Sequence, residues 1–375
     1  MTTSAPTPPS PPASPPATID EPRAVRPGEE LPLDQLAAVL GAHDPALRGP
    51  VSALQFPSGH SNLTYLVRAG GRELVLRRPP FGAAIKTAHD MGREYRILRG
   101  LAAVYPKAPR PLLACDDPAV LGAPFYVMER VRGVILRGPR PAAAAGLGPD
   151  LMRRISTALV DTLAELHAVD PAAAGLADLG HPAGYVARQV AGWTDRYLKA
   201  KTDEVPEVEA AAAWLAAHLP PERGTATLIH NDYKYDNVVL DAADLARVVA
   251  VLDWEMATIG DPLMDLGTTL GYWIDADDPP EHQALPFGPT MLPGNLTRVE
   301  VVARYAERTG RAVDEVLFYY VFALLKIAVI AQQIYRRFQD GHSRDPRFAG
   351  MIVGVRILGA TAARALDRGR IDRLG

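Results

Sequence analysis

One polar stretch, His230-Asn231-Asp232-Tyr233-Lys234-Tyr235-Asp236-Asn237, constrains this chain more than any other feature. It follows the apolar Leu228-Ile229 and runs into Val238-Val239-Leu240, so it reads as a loop between two short strands. A loop of this kind offers a carboxylate at Asp232 and an amide oxygen at Asn237. Phosphoryl transfer needs that pair: a carboxylate near the attacking hydroxyl, and hard oxygen ligands for Mg²⁺.

The residues around the loop extend this reading. Asp253 ends the apolar run Val248-Val249-Ala250-Val251-Leu252, where a carboxylate suits a second metal ligand beside Asn237. Lys234, close behind Asp232, is of a type that places positive charge on a moving phosphoryl group, so Asp232 and Lys234 are the catalytic candidates. Asp261 and Pro262 read as N-cap and first residue of a helix. Asp265, one turn in, is expected to brace the catalytic loop rather than touch substrate. His167, near a helix C-terminus, is read as structural.

Nucleotide-binding candidates lie earlier in the chain. Glu94 is followed at helical spacing by Ile97, Leu98 and Leu101, so its carboxylate faces a core and needs a cation. In the strand Leu74-Val75-Leu76-Arg77, alternation puts Arg77 on the face of Val75, where it can pair with Glu94 and with phosphate. Arg78 points the other way and is expected at the surface. Ser58, Gly59 and Ser61 sit in a turn-forming segment between strands that could cover phosphates with N–H and hydroxyl groups. Glu129 and Val131 lie in a candidate interlobe hinge, Val127 to Val131, whose backbone would meet the adenine edge.

The totals fit a chain of two lobes. Its 375 residues exceed the size at which one core stops growing. Residues 1–27 are dominated by Pro, Ser, Thr and Ala and are expected to form a disordered tail. Residues 28–130 read as strands plus a helix, a nucleotide-binding lobe, and residues 131–375 as a helical catalytic and substrate lobe. A net charge of −3 offers no footprint for nucleic acid or anionic lipid, so a small-molecule substrate is expected, with a monomer or homodimer as the assembly. The lone Cys115 suits a reducing compartment, and the N-terminus has no apolar signal or anchor, so the cytoplasm is expected. The apolar run from Leu317 to Ile334 is interrupted by Lys326, Gln332 and Gln333 and reads as a buried helix rather than a membrane span.

On His230, Asp232 and Asn237, on Leu252-Asp253-Trp254-Glu255, and on Gly260-Asp261-Pro262 with Asp265-Leu266, the sequence resembles the aminoglycoside phosphotransferase and choline kinase-like family. The resemblance spans about residues 30 to 340. It implies an α+β, bilobal, protein-kinase-like fold with a small antiparallel-sheet N-lobe, and γ-phosphoryl transfer from ATP or GTP with Mg²⁺ to a hydroxyl. A narrower resemblance, carried by Gln55 to Tyr65, Leu74 to Pro80 and Gly184 to Val190 with Trp193, is to the phosphotransferase domain fused to some acyl-CoA dehydrogenases and its free-standing bacterial relatives. That subgroup carries arginine where kinases carry lysine, in keeping with Arg77. It implies a hydroxyacyl-CoA or hydroxy acid as acceptor; an aminoglycoside or choline-type acceptor and a nucleotide-binding pseudokinase are the alternatives. A protein kinase would need an activation segment of about 20–30 residues after the metal aspartate. Here Gly260-Asp261-Pro262 follows Asp253 too soon for one.

Overall fold

The structure is a computed structural model that describes residues 21–56, 62–80, 90–224, 226–342 and 345–375. Ser58, Gly59 and Ser61 therefore lie outside the described residues.

The first lobe begins with α1 (Leu33–His43) and a five-stranded antiparallel sheet built from β1 (Ser52–Gln55), β2 (Leu63–Ala69), β3 (Arg72–Arg78), β4 (Pro111–Cys115) and β5 (Phe125–Glu129) in the order β1-β2-β3-β5-β4. Gly70 and Gly71 turn β2 into β3 with φ of 55° and 74°, the left-handed pair that a two-residue hairpin turn requires. Residues 21–27, assigned to the tail on composition, follow this sheet: Arg23 bridges Gln55 through both backbone bonds.

Strand alternation divides the sheet into two faces. Leu74, Leu76, Tyr65 and Val127 pack on Leu36 and Leu40 of α1. Val75, Leu66 and Met128 point the other way, toward Ile97 and Leu98 of α2 (Met91–Leu101) and the second lobe. This parity aims Arg77 at the interlobe cleft. It also corrects the expectation for Arg78, which is buried and donates to the carbonyls of Pro79 and Leu121, the latter at the end of the short α3 (Pro118–Leu121). Two consecutive arginines alternate between two interiors because the sheet is covered on both faces.

The second lobe is mostly helical: α4 (Pro149–His167), α5 (Tyr185–Ala200), α6 (Pro206–Ala217), α7 (Pro262–Gly271), the short α8 (Pro280–Gln283), α9 (Arg298–Thr309), α10 (Val316–Gln339) and α11 (Met351–Arg368). Between α6 and α7 run β6 (Thr227–Ile229), β7 (Val238–Leu240), β8 (Val248–Val251) and β9 (Thr258–Gly260), paired β6 with β9 and β7 with β8. Apolar and long enough to cross a bilayer, α10 instead packs against α5, α6, α7 and α11, with Phe318 through Val329 buried. The acidic segment after α7 is partly interior: Asp275 and Asp278 are buried around Arg298.

The approach of α7 to α10 depends on Gly267, where an added Cβ would lie 2.4 Å from the Tyr319 carbonyl oxygen. Alanine would gain about 1 kcal/mol of helix propensity. Because the overlap is with backbone atoms at 2.4 and 2.7 Å, which no side-chain rotation relieves, its cost lies toward the upper end of the about 1–3 kcal/mol of overpacking and exceeds that gain. Gly267→Ala is therefore expected to lower the urea unfolding midpoint, with an unchanged or raised midpoint contradicting this account of the helix pair.

Candidate active site

The loop His230–Asn237 emerges from β6, and a buried carboxylate fixes its start. Asp265, in the first turn of α7, accepts from the backbone N–H of His230 at 2.6 Å and of Asn231 at 2.8 Å. The His167 ring lies 3.1 Å from the same carboxylate on Nε2 and 2.7 Å from the Tyr305 hydroxyl on Nδ1. Burial works to raise the pKa of Asp265, but the hydrogen bonds from His167 and the nearby histidines hold it below the usual aspartate value. Asn231 is thereby kept at φ 66°, a conformation most side chains avoid. Its amide nitrogen donates to the Met256 carbonyl at 3.1 Å.

His230 then links the loop to the second acidic residue. Its Nε2 lies 2.9 Å from the Leu252 carbonyl and its Nδ1 receives the Asp232 N–H at 3.3 Å, so the geometry puts the ring proton on Nε2. Leu252 N–H in turn donates to the Asn237 carbonyl at 2.8 Å. Asp232 is held from two sides: Lys234 Nζ lies 2.7 Å from both carboxylate oxygens, and Asn237 Nδ2 donates at 2.9 Å to Oδ2 and to the main-chain oxygen. With its nitrogen so engaged, Asn237 directs its amide oxygen away from Asp232. Burial works against the Lys234 ammonium, yet Asp232 raises its pKa.

Across the cleft, Arg77 joins the two lobes. One guanidinium nitrogen meets Glu94 at 2.5 Å and another meets Asp253 at 3.0 Å. Glu94 also accepts from the Trp254 N–H at 3.2 Å. From the same helix Arg93 donates to the carbonyls of Glu255 at 3.0 Å and Ala257 at 2.6 Å. Burial pushes Glu94 up despite Arg77, whereas the pKa of Asp253, also opposed by burial, is lowered by Arg77. Burial and the neighbouring Asp253 carry Glu255 up to about 8. Asp253 adopts φ 67°, a second strained residue beside the loop, and lines the cleft.

The cavity here measures about 590 Å³ and is lined from the sheet by Val75, Arg77 and Met128, from the hinge by Glu129 and Val131, and from below by Asn237 and Asp253. That is ample for a nucleotide. The amide oxygen of Asn237 and the Asp253 carboxylate form a hard donor pair, the chemistry that suits Mg²⁺ together with phosphate oxygens and water. Among the described residues no cluster of three metal-ligating side chains exists, so a metal here would take part of its shell from a nucleotide.

Of the sequence candidates among the described residues, Arg77, Glu129, Val131, Asn237 and Asp253 line this cleft, Glu94 pairs with Arg77 behind its wall, and Asp232 adjoins it through Asn237 while Lys234, on Asp232, lines a smaller neighbouring cavity. Sequence reasoning passed over Lys326, whose ammonium donates to the Asn231 carbonyl at 2.6 Å, and Asn62, which donates to Glu255 at 2.7 Å. Lys326 had a signal, a charge inside an apolar helix. It was read only as an argument against a membrane span.

A five-stranded antiparallel lobe over a helical lobe, with an acidic loop and an arginine–glutamate pair at the seam, is the protein-kinase-like arrangement of small-molecule phosphotransferases. The chain belongs to the phosphotransferase enzyme family, whose model matches residues 52–299. It is 36% identical over 327 residues to acyl-CoA dehydrogenase family member 10 of Mus musculus, covering 86% of this chain and 30% of that protein. The chain spans between 30% and 41% of the length of the first curated relatives it matches. Among solved structures, a candidate aminoglycoside phosphotransferase from Ralstonia eutropha is 30% identical with a TM-score of 0.74, covering 88% of this chain and 96% of that one. A thermostable mutant of aminoglycoside phosphotransferase APH(4)-Ia, in complex with AMP-PNP and hygromycin B, shares the fold at 18% identity and a TM-score of 0.55, covering 85% and 98%.

Proposed function

We propose that this phosphotransferase uses Mg²⁺ and ATP to phosphorylate the hydroxyl of a small anionic acceptor, a hydroxyacyl-CoA or hydroxy acid. The observation that carries the reading is the orientation of Asp232 by Lys234 and Asn237 beside the Arg77–Asp253 pair. In this mechanism the acceptor hydroxyl docks against Asp232, which orients it and takes its proton as the new O–P bond forms. The β,γ-bridging oxygen leaves with ADP. Lys234, already at the Asp232 carboxylate, offsets charge on the transferred group, and Arg77 meets the nucleotide phosphates. Asn237 and Asp253 would hold Mg²⁺, which when bound neutralises charge on the phosphate oxygens.

Two findings support the acceptor class. The relatives matched along most of this chain are named as acyl-CoA dehydrogenase family members. The acidic segment that could draw a polycationic antibiotic is largely spent internally, with Asp275 and Asp278 on Arg298 and Glu281 on Arg364. Hydroxyacyl-CoAs, free hydroxy acids, aminoglycosides and choline, each supplied with MgATP, separate the alternatives. Phosphorylation confined to the anionic compounds is expected; efficient turnover of an aminoglycoside would overturn the assignment.

Arg77 gives a second test. Beside a longer approach to Glu255 at 3.6 Å, its hydrogen bonds to Glu94 and Asp253 require a fork that spans both, which a lysine reaches only singly. Arg77→Met is expected to raise KM for ATP about tenfold, equivalent to about 1.4 kcal/mol. Arg77→Lys should lose less, and equal nucleotide KM in all three proteins would remove Arg77 from the phosphate site.

A further inference from the structure

A second cavity, of about 360 Å³, lies on another side of the catalytic loop between α5 and α10 and shares no lining residue with the nucleotide cleft. It reaches Asn231, the residue before Asp232. Arg188, Arg196 and Lys326 line it and no carboxylate does. Trp193 and Phe322 supply an apolar wall, with the Arg196 guanidinium 4.8 Å from the Trp193 ring centre.

Lys326 is the telling member. It is 3% exposed, and its ammonium meets the Asn231 carbonyl at 2.6 Å and the Thr268 hydroxyl at 3.5 Å, without an ion-pair partner among the described residues. Burial takes its pKa down to about 8, although Asp232 and Asp265 raise it. The Trp193 ring centre lies 5.8 Å from the ammonium and no carboxylate comes within ion-pair distance of it among the described residues, so an oxyanion in the cavity would offset the cost of its burial. Arg188 is committed to the carbonyls of His181 and Ala183, whereas exposed Arg196 forms no ion pair with the described residues.

We propose that this cavity is the acceptor subsite: Lys326 and Arg196 bind an oxyanion of the acceptor, a carboxylate or a phosphate, while Trp193 packs on its apolar stretch. The inference rests on the kinase reading only in taking the bound molecule to be the acceptor. It is tested by calorimetric binding to the whole protein and to Arg196→Gln, an exposed position whose thermal midpoint should not move. Three probes are used: 3-hydroxybutyryl-CoA, free 3-hydroxybutyrate, and the neutral N-acetylcysteamine thioester of the same acid. At least one anion is expected to bind and to lose about tenfold in affinity in Arg196→Gln, with the neutral thioester unaffected. The anion that loses affinity identifies the group held, thioester-linked phosphates or carboxylate. No binding of either anion, unchanged affinity for both, or an equal loss for the neutral probe would overturn the subsite. Arg196-dependent binding without phosphorylation would leave the subsite standing and sink the kinase reading, and phosphorylation indifferent to Arg196 would do the reverse.

Discussion

Asp232→Asn is expected to lower kcat by about a thousandfold, within the range attributed to a positioned general base, while the protein stays folded. The amide is isosteric and keeps an oxygen for Asn237 Nδ2, which donates to Asp232 at 2.9 Å, so the loop's shape survives. What disappears is the capacity to take a proton and the charge that fixes Lys234 against both carboxylate oxygens. Steady-state turnover beside circular dichroism checks both halves. Near-normal kcat in a folded variant would remove Asp232 from the chemistry.

Asp265→Ala is expected to give the largest loss of stability, about 3–5 kcal/mol, the range for deleting one partner of a buried charged network. The side chain is fully buried, and its removal strands the N–H groups of His230 and Asn231 together with a His167 ring nitrogen. Activity should fall as well, because Asn231 at φ 66° then loses the contact that holds it in that conformation. The acid limb follows from the same group. Its folded-state pKa is held below the 3.8 of an ordinary aspartate, so the stability it contributes is complete above that value and is lost as pH falls through the lower one. Urea unfolding below about pH 4 should therefore be less steeply pH-dependent in Asp265→Asn than in the wild type. Parallel acid limbs would contradict the assigned role of this carboxylate.

Much of the site was legible because its chemistry is local or periodic. Asp232 and Asn237 share one loop, Asp253 ends an apolar strand, and the helical spacing after Glu94 placed a carboxylate in the core that required Arg77. The failures have physical causes. Arg78 looked like a surface residue because strand parity gives only direction, and whether the far face is covered depends on α1 and α3, which pack there through tertiary contacts. The burial of Asp275 and Asp278 was not legible because their partner Arg298 lies beyond the segment, at the start of α9. β9 has three residues, too few for alternation to register, yet it pairs with β6 and so sets the base of the catalytic loop. Lys326 carries no motif at all. Only packing α10 beneath the loop brings its ammonium to Asn231.

The central claim is that this cleft moves a phosphoryl group onto a hydroxyl with Asp232 as base. The most direct measurement follows, in one quenched time course with Mg²⁺, ATP and a hydroxyacyl-CoA, the ADP formed and the phosphate ester formed by the wild type and Asp232→Asn. Equal amounts of ADP and ester in the wild type, with both nearly abolished in the variant, are the expected result. ADP without ester, or ester formed at the same rate by both proteins, would contradict it.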